Sequence, residues 1–231
     1  MEKKIRELFP EIEWIKDPEL QAKVVASYVD ALKTGGWEPE DMDKIPFTLL
    51  IPNCPFSYLE HVRGVTRVAK RAMDEFNAIY AAKDAKFTID NDLLVAGALL
   101  HDIGKIGVAD TILNKPGKLT NEEFEAIHQH PLIGVTILSD VGLSPEVLEM
   151  VRSHHERYDG KGYPDGVRSS ELSLMTRILC VADAYDAMTS DRPYRQRLPH
   201  EEAIRRLQEG AGTQFDPAVV EAMVKAEHAK N

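Results

Sequence analysis

The chain has 231 residues, 43% of them hydrophobic, with a formal net charge of -10 and two cysteines. That size fits one large domain, or one domain with a small appendage, and the apolar share excludes intrinsic disorder. The negative balance excludes a general coat for nucleic-acid polymers or anionic membranes, while a local Arg/Lys cluster beside a metal can still reverse the field in a cleft. Cys54 and Cys180 form no disulfide framework, and Cys180 sits in an apolar run where a thiol acts as a small hydrophobe. Met1 to Ile5 lacks a signal-peptide core, and no apolar run approaches membrane-spanning length. A cytoplasmic protein without membrane contact is expected.

Residues 1–54 read as a separate helical segment. Leu20, Val24, Val25, Tyr28 and Leu32 recur at helical spacing from Pro18 to Thr34, and Gly35-Gly36 stops the run. A short helix over 38–44 and an extended connector with three prolines over 45–55 follow. This segment carries no chemistry and reads as a helical appendage or a self-association surface.

Phe56 to Ala82 predicts one long helix whose apolar stripe includes His61, Val65, Val68, Ala72, Phe76 and Ile79. Asn91 to Asp102 predicts a buried helix capped by Asn91 and ending in His101-Asp102, with Lys105 one turn further on. Thr120 and Glu123 form a capping box, and the helix they open runs through Ile127, His130 and Ile137 with a kink at Pro131. Ser144 caps a helix that has Pro145 at its first position and carries Val147, Leu148 and Val151 into His154-His155. Asp159 to Gly166 is a loop with three glycines and a proline. Ser173 to Ser190 is apolar on nearly every side yet contains Asp183. Two amphipathic helices, 200–209 and 217–227, close the chain, and no convincing strand or repeat is found.

Five histidines therefore fall on buried faces: His61, His101, His130, His154 and His155. Asp102 and Asp183 do the same, while His128, His200 and His228 read as exposed. A single buried histidine is most simply a hydrogen-bonded core residue. Seven metal-type ligands together exceed the four of one structural zinc. Imidazole with carboxylate and no thiolate suits Fe or Mn, and seven ligands suit two ions sharing one carboxylate. Two ions clamp an in-line displacement at phosphorus, with a hydroxide between them as nucleophile, and Lys105 is placed to bind a non-bridging phosphate oxygen.

At these residues the sequence resembles the HD phosphohydrolase superfamily through His61, His101-Asp102 and Asp183. His154-His155-Glu156-Arg157-Tyr158-Asp159-Gly160-Lys161-Gly162-Tyr163-Pro164, Ser190 to Arg195 and Phe215-Asp216-Pro217 narrow the resemblance to the HD-GYP subfamily over roughly residues 56–225. The resemblance implies an all-α, HD-type helical bundle over 55–231 with an N-terminal helical appendage. It implies a phosphodiesterase that hydrolyses cyclic di-GMP to pGpG or GMP. It places His61, His101, Asp102 and Asp183 on one metal and His130, His154 and His155 on a second, bridged by Asp102. Lys105 would hold the scissile phosphate, and Tyr163, Arg192 and Arg195 would recognise the ligand. Some members bind a third metal through a Glu one turn before the first histidine; Ser57 stands there, so two metals are expected. Cyclic GMP-AMP, another nucleotide, or binding with little turnover are the alternatives. A signalling partner at the Gly-Tyr-Pro loop and an oligomer are compatible with the resemblance.

Overall fold

The computed structural model describes residues 1–45, 57–81, 88–113, 115, 119–190 and 197–228. Among these the regular elements are all helices, with no strand and only isolated bridge positions at Ser57 and between Ala211 and Phe215. The order is α1 (Glu2–Leu8), α2 (Pro18–Gly35), α3 (Tyr58–Ala81), α4 (Asn91–Leu100), α5 (Asp110–Leu113), α6 (Asn121–His128), α7 (His130–Leu138), α8 (Pro145–Ser153), α9 (Leu174–Thr189), α10 (His200–Gly210) and α11 (Pro217–His228). Short 3-10 turns cover Pro10–Trp14, Pro39–Lys44, Ile103–Gly107 and Ser169–Glu171. The expected all-α bundle is the observed fold. No helix among the described residues is long and apolar enough to cross a membrane.

The centre of the bundle is α4. Leu94 through Leu100 are all buried, and α4 packs between α3 and α8, while α3 lies along α9 and α11. A helix apolar on every side can only be interior. Its cap is Asp90 rather than Asn91: the Asp90 carboxylate accepts from the backbone N–H groups of Asp92 and Leu93. The helix also stops at Leu100, two residues short of the sequence expectation, so His101 and Asp102 lie in the turn that leads into Ile103–Gly107.

Three further expectations are corrected. The single kinked helix after Thr120 is two helices broken at Gln129. Pro131, in the first turn of α7, has no N–H to continue α6. The Ile127 carbonyl at that break accepts instead from the His130 ring, 2.7 Å away. Ser144 occupies the cap position of α8 without a side-chain hydrogen bond, and α8 ends at Ser153, leaving His154 and His155 in the following turn. Finally, α1 and the 3-10 turn after it went unanticipated. Only Ile5 of α1 is buried among charged neighbours, which leaves no periodic stripe to read.

The N-terminal segment shares the common core: Ile5, Phe9, Ile12, Val24, Tyr28 and Leu32 are buried together with Leu99 and Leu100. The ring of Phe9 stacks on Tyr28 at 4.5 Å, and the Tyr28 hydroxyl bonds the Leu99 carbonyl and lies 3.2 Å from the Tyr58 hydroxyl. Glu11, 2% exposed, accepts from Arg63 and Arg67 of α3. Asp92 at the head of α4 accepts from the backbone N–H groups of Lys16 and Asp17. These bonds tie residues 1–45 to the two helices, α3 and α4, that lead into the site.

Candidate metal centre

Asp102 is 1% exposed and stands where α3, α4, α7 and α8 converge. Its Oδ2 lies 3.5 Å from His61 Nε2, 3.5 Å from His101 Nε2 and 2.5 Å from Lys105 Nζ. Its Oδ1 lies 3.2 Å from His130 Nε2 and 3.7 Å from His154 Nε2. Asp183, from α9, closes the far side, 3.1 Å from His61 Nε2 and 3.9 Å from His155 Nδ1. Two groups of candidate ligands result, Asp102/His130/His154/His155 and His61/His101/Asp183, each with donor atoms within 4.8 Å of one another. All seven residues expected from the sequence are thus brought together.

The local backbone dictates which nitrogen of each ring faces inward. In His101, His130 and His154 the Nδ1 lies 2.7–2.9 Å from the carbonyl three residues earlier, of Ala98, Ile127 and Val151 respectively. A carbonyl only accepts, so each Nδ1 carries the proton and each Nε2 presents a lone pair to Asp102. Each of these histidines sits just beyond the last turn of a helix or at the break between two, where carbonyls lack an intrahelical partner.

That arrangement is unsatisfied by protein alone. The Nε2 atoms of His130 and His154 are 3.2 Å apart, and with both Nδ1 protons engaged this contact sets two lone pairs against each other. His101 Nε2 and Asp102 Oδ1 are buried without a hydrogen-bond partner. A cation between these atoms would satisfy them. Imidazole and carboxylate donors without thiolate fit a divalent metal.

A family model described as HD domain matches residues 60–219. The chain belongs to the HD domain family. It is 51% identical over 129 residues to a protein of Pseudomonas aeruginosa named cyclic di-GMP phosphodiesterase, which covers 55% of this chain and 31% of that one. A Thermotoga maritima protein named cyclic di-GMP phosphodiesterase is 50% identical over 133 residues, 56% of this chain and 36% of that one. A Vibrio cholerae protein named 3'3'-cGAMP-specific phosphodiesterase 3 is 43% identical over 137 residues, 59% of this chain and 30% of that one. The chain spans about a third of the length of these curated relatives. The fold is similar to that of an HDG"Y"P protein from Bdellovibrio bacteriovorus, with a TM-score of 0.58 at 18% identity, covering 94% of this chain and 74% of that one.

Within this HD domain the electrostatics keep most of the rings neutral. Burial pushes His101 down to about 3, and burial also lowers His130 and His155. Burial would lower His61 too, but the carboxylates of Asp183 and Asp186 outweigh it and raise that ring. Asp102 and Asp183 are held below the usual carboxylate range: burial opposes ionisation, and Lys105 for the first and His61 for the second overcome it. Three rings with lowered values take up protons on unfolding below about pH 6.5, so folding loses stability as pH falls from there toward 3. His61 acts in the opposite sense, and three outweigh one. The metal-free protein is therefore expected to melt at a lower temperature at pH 5 than at pH 7; equal or higher melting at pH 5 would contradict the neutral-ring assignment.

Three placements differ from the sequence reading. His155 is not fully enclosed, with a quarter of its side chain exposed. His128, expected at the surface, is half-buried and stacks on Tyr163. His200 is also half-buried, its Nδ1 2.6 Å from the Tyr185 hydroxyl. Only His228 of the three is exposed. Arg192 and Arg195 lie outside the described residues. Ser57 is described, and it accepts from Glu60 N through its hydroxyl.

Sequence reasoning missed Asp186. It is 7% exposed, and its Oδ2 accepts from His61 Nδ1 at 2.8 Å. This bond gives His61 the tautomer that carbonyls give the other rings, with Nε2 as the atom turned toward Asp102 and Asp183. The signal was present: Asp183 and Asp186 are three residues apart, hence on one face of α9. Gly64 makes room for it, since a Cβ there would lie 2.0 Å from Asp186 Oδ1. Asp186→Asn is expected to weaken metal affinity about 10–100-fold with the fold intact, measured by competition with a chelator. Unchanged affinity would show that the bond does not orient the ring.

Proposed function

We propose that this chain hydrolyses a cyclic dinucleotide phosphodiester, with cyclic di-GMP giving pGpG and/or GMP as the first assignment, at a centre of two divalent ions, Fe or Mn. The observation that carries the reading is the shared Asp102 carboxylate: one oxygen faces His61 and His101, the other His130 and His154. Ligands on both sides of one carboxylate support a pair of ions over a single one. Bound ions would supply Lewis-acid stabilisation of the phosphate charge and lower the pKa of a water. The names of the relatives add the substrate class.

The chain's own residues supply the rest. Lys105 is held beside Asp102 on the Ile103–Gly107 turn, where its ammonium can take a non-bridging phosphate oxygen. Tyr163, Arg192 and Arg195 are assigned to the nucleotide, Arg by its planar fork for phosphate or a guanine edge. The division into an N-terminal helical segment, 1–54, and a catalytic unit, 55–231, belongs to this proposal, as does a signalling partner at the 159–166 loop. A second reading, cyclic GMP-AMP as the better substrate, is favoured by the 43% identity to the Vibrio cholerae protein.

The test is metal content on protein purified without oxygen, paired with turnover of both dinucleotides on the same sample. About two Fe or Mn per chain with hydrolysis supports the proposal. Two metals with neither dinucleotide hydrolysed overturns the substrate assignment. Lys105→Ala is expected to lower turnover about 10²-fold with both metals retained. Loss of metal in that variant would contradict a role at the phosphate.

A further inference from the structure

The Tyr163 ring stacks on His155 with centroids 4.7 Å apart and planes 27° apart, and on His128 at 4.1 Å and 19°. The two histidines make no ring contact with each other, so they cover the two faces of the tyrosine. Phe124 of α6 packs edge-on against His128 at 4.2 Å. A ladder of four rings thus runs from the 36%-exposed Phe124 to a ligand of the metal centre.

The backbone of this loop is held independently of the rings. Tyr163 N donates to the His155 carbonyl at 3.3 Å, and Glu156 Oε1 accepts from Asp165 N and Gly166 N. Arg152 clasps Asp165 through two nitrogens, each at 2.7 Å. Gly162 admits this close course, since a Cβ there would lie 2.5 Å from Glu156 Cα and the His155 carbonyl oxygen. What these bonds leave unfixed is the rotation of the Tyr163 side chain about its own Cα–Cβ bond.

We infer that His128 is a positioning residue that clamps the Tyr163 ring against His155 and so fixes the phenol over the metal centre as a hydrogen-bond donor to the substrate phosphate. With both ring faces covered, no base can stack on Tyr163, and its hydroxyl edge is the part left for a ligand. A phenol carries its proton at neutral pH and so can donate. His128 comes from α6, a different element from the loop it restrains. The role given to Tyr163 rests on the phosphodiesterase reading; the clamp itself does not.

The experiment uses the full metal-loaded chain with His128→Ala and His128→Phe, the second retaining a flat ring. Ring-labelled tyrosine NMR follows Tyr163, its signal assigned by Tyr163→Phe. The signal is expected to shift in His128→Ala and to return toward wild type in His128→Phe. With cyclic di-GMP, His128→Ala is expected to raise KM about tenfold, the loss of one charge-assisted hydrogen bond, with kcat within about twofold and KM rescued in His128→Phe. A Tyr163 signal unmoved in His128→Ala overturns the clamp. A moved signal with KM unchanged overturns its function in substrate binding. If the wild type turns over no dinucleotide, the phosphodiesterase reading fails, and the NMR comparison still decides the clamp.

Discussion

Asp102→Asn is expected to cost the protein at least one metal ion per chain and nearly all of its turnover. The change is one atom in size, yet it alters the most heavily shared group in the molecule. Four imidazole nitrogens and the Lys105 ammonium lie 2.5–3.7 Å from its two oxygens. An amide offers one weaker acceptor and turns an NH2 toward one side of the site. On the Oδ1 side that NH2 could donate to the His130 and His154 lone pairs, satisfying the rings with no cation. Elemental analysis should therefore show loss of at least one ion per chain. Turnover should fall by about 10³-fold or more, beyond the effect of removing a single donor to a developing anion. Helix content should persist, because the helices around the site are held by the core and not by this carboxylate. Wild-type metal content in Asp102→Asn would mean that Asp102 does not bridge.

The ligands were legible in the sequence because each is a polar residue where an apolar pattern demanded otherwise. His61 lies in the stripe of α3, Asp183 inside the apolar α9, and His101-Asp102 at the end of α4. What periodicity could not show is how the rings are oriented. That depends on carbonyls freed at helix ends, and it therefore depends on helix boundaries. The sequence reading carried α4 through Asp102 and α8 through His155; had that been so, the Ala98 and Val151 carbonyls would have bonded backbone N–H groups instead of rings. The early stops of these helices are thus part of the site.

The other misses share a cause. His128 is polar and ends a helix with no buried residue, so nothing local marks it as packed. Its partner, Tyr163, is 35 positions away, across α7 and α8. Asp186 was masked by its neighbour Asp183, which already accounted for a carboxylate on that helix. Tyr28 looked like a simple core residue, and its bond to the Leu99 carbonyl, two residues before His101, is a contact 71 positions apart. Spacing within one helix can be read from sequence; contact between elements was recovered only where a family resemblance supplied it.

Gly104→Ala carries the second large expected effect, and backbone contact decides it. A Cβ at Gly104 would lie 1.9 Å from the His130 carbonyl oxygen, 2.6 Å from Gly134 N and 2.8 Å from His130 C. All three atoms are main chain of α7, so no side chain can swing away. Gly97 in α4 provides the contrast. Its nearest obstacle is the Met150 side chain, with Cε at 2.3 Å, and a methionine end can move. Gly104→Ala is expected to cost about 3–5 kcal/mol of stability, at the severe end for point substitutions, and Gly97→Ala about 1–2 kcal/mol. Denaturant unfolding of both variants beside wild type measures the difference. The consequence reaches the site, because the turn that bears Gly104 also bears Lys105 and follows directly on Asp102, while the strand of backbone it touches begins at His130. Forcing the two apart must separate Asp102 from His130, now 3.2 Å apart at their nearest atoms. Any folded fraction of Gly104→Ala should therefore bind metal poorly. A variant as stable as wild type would show that the turn and α7 do not pack at the distance described.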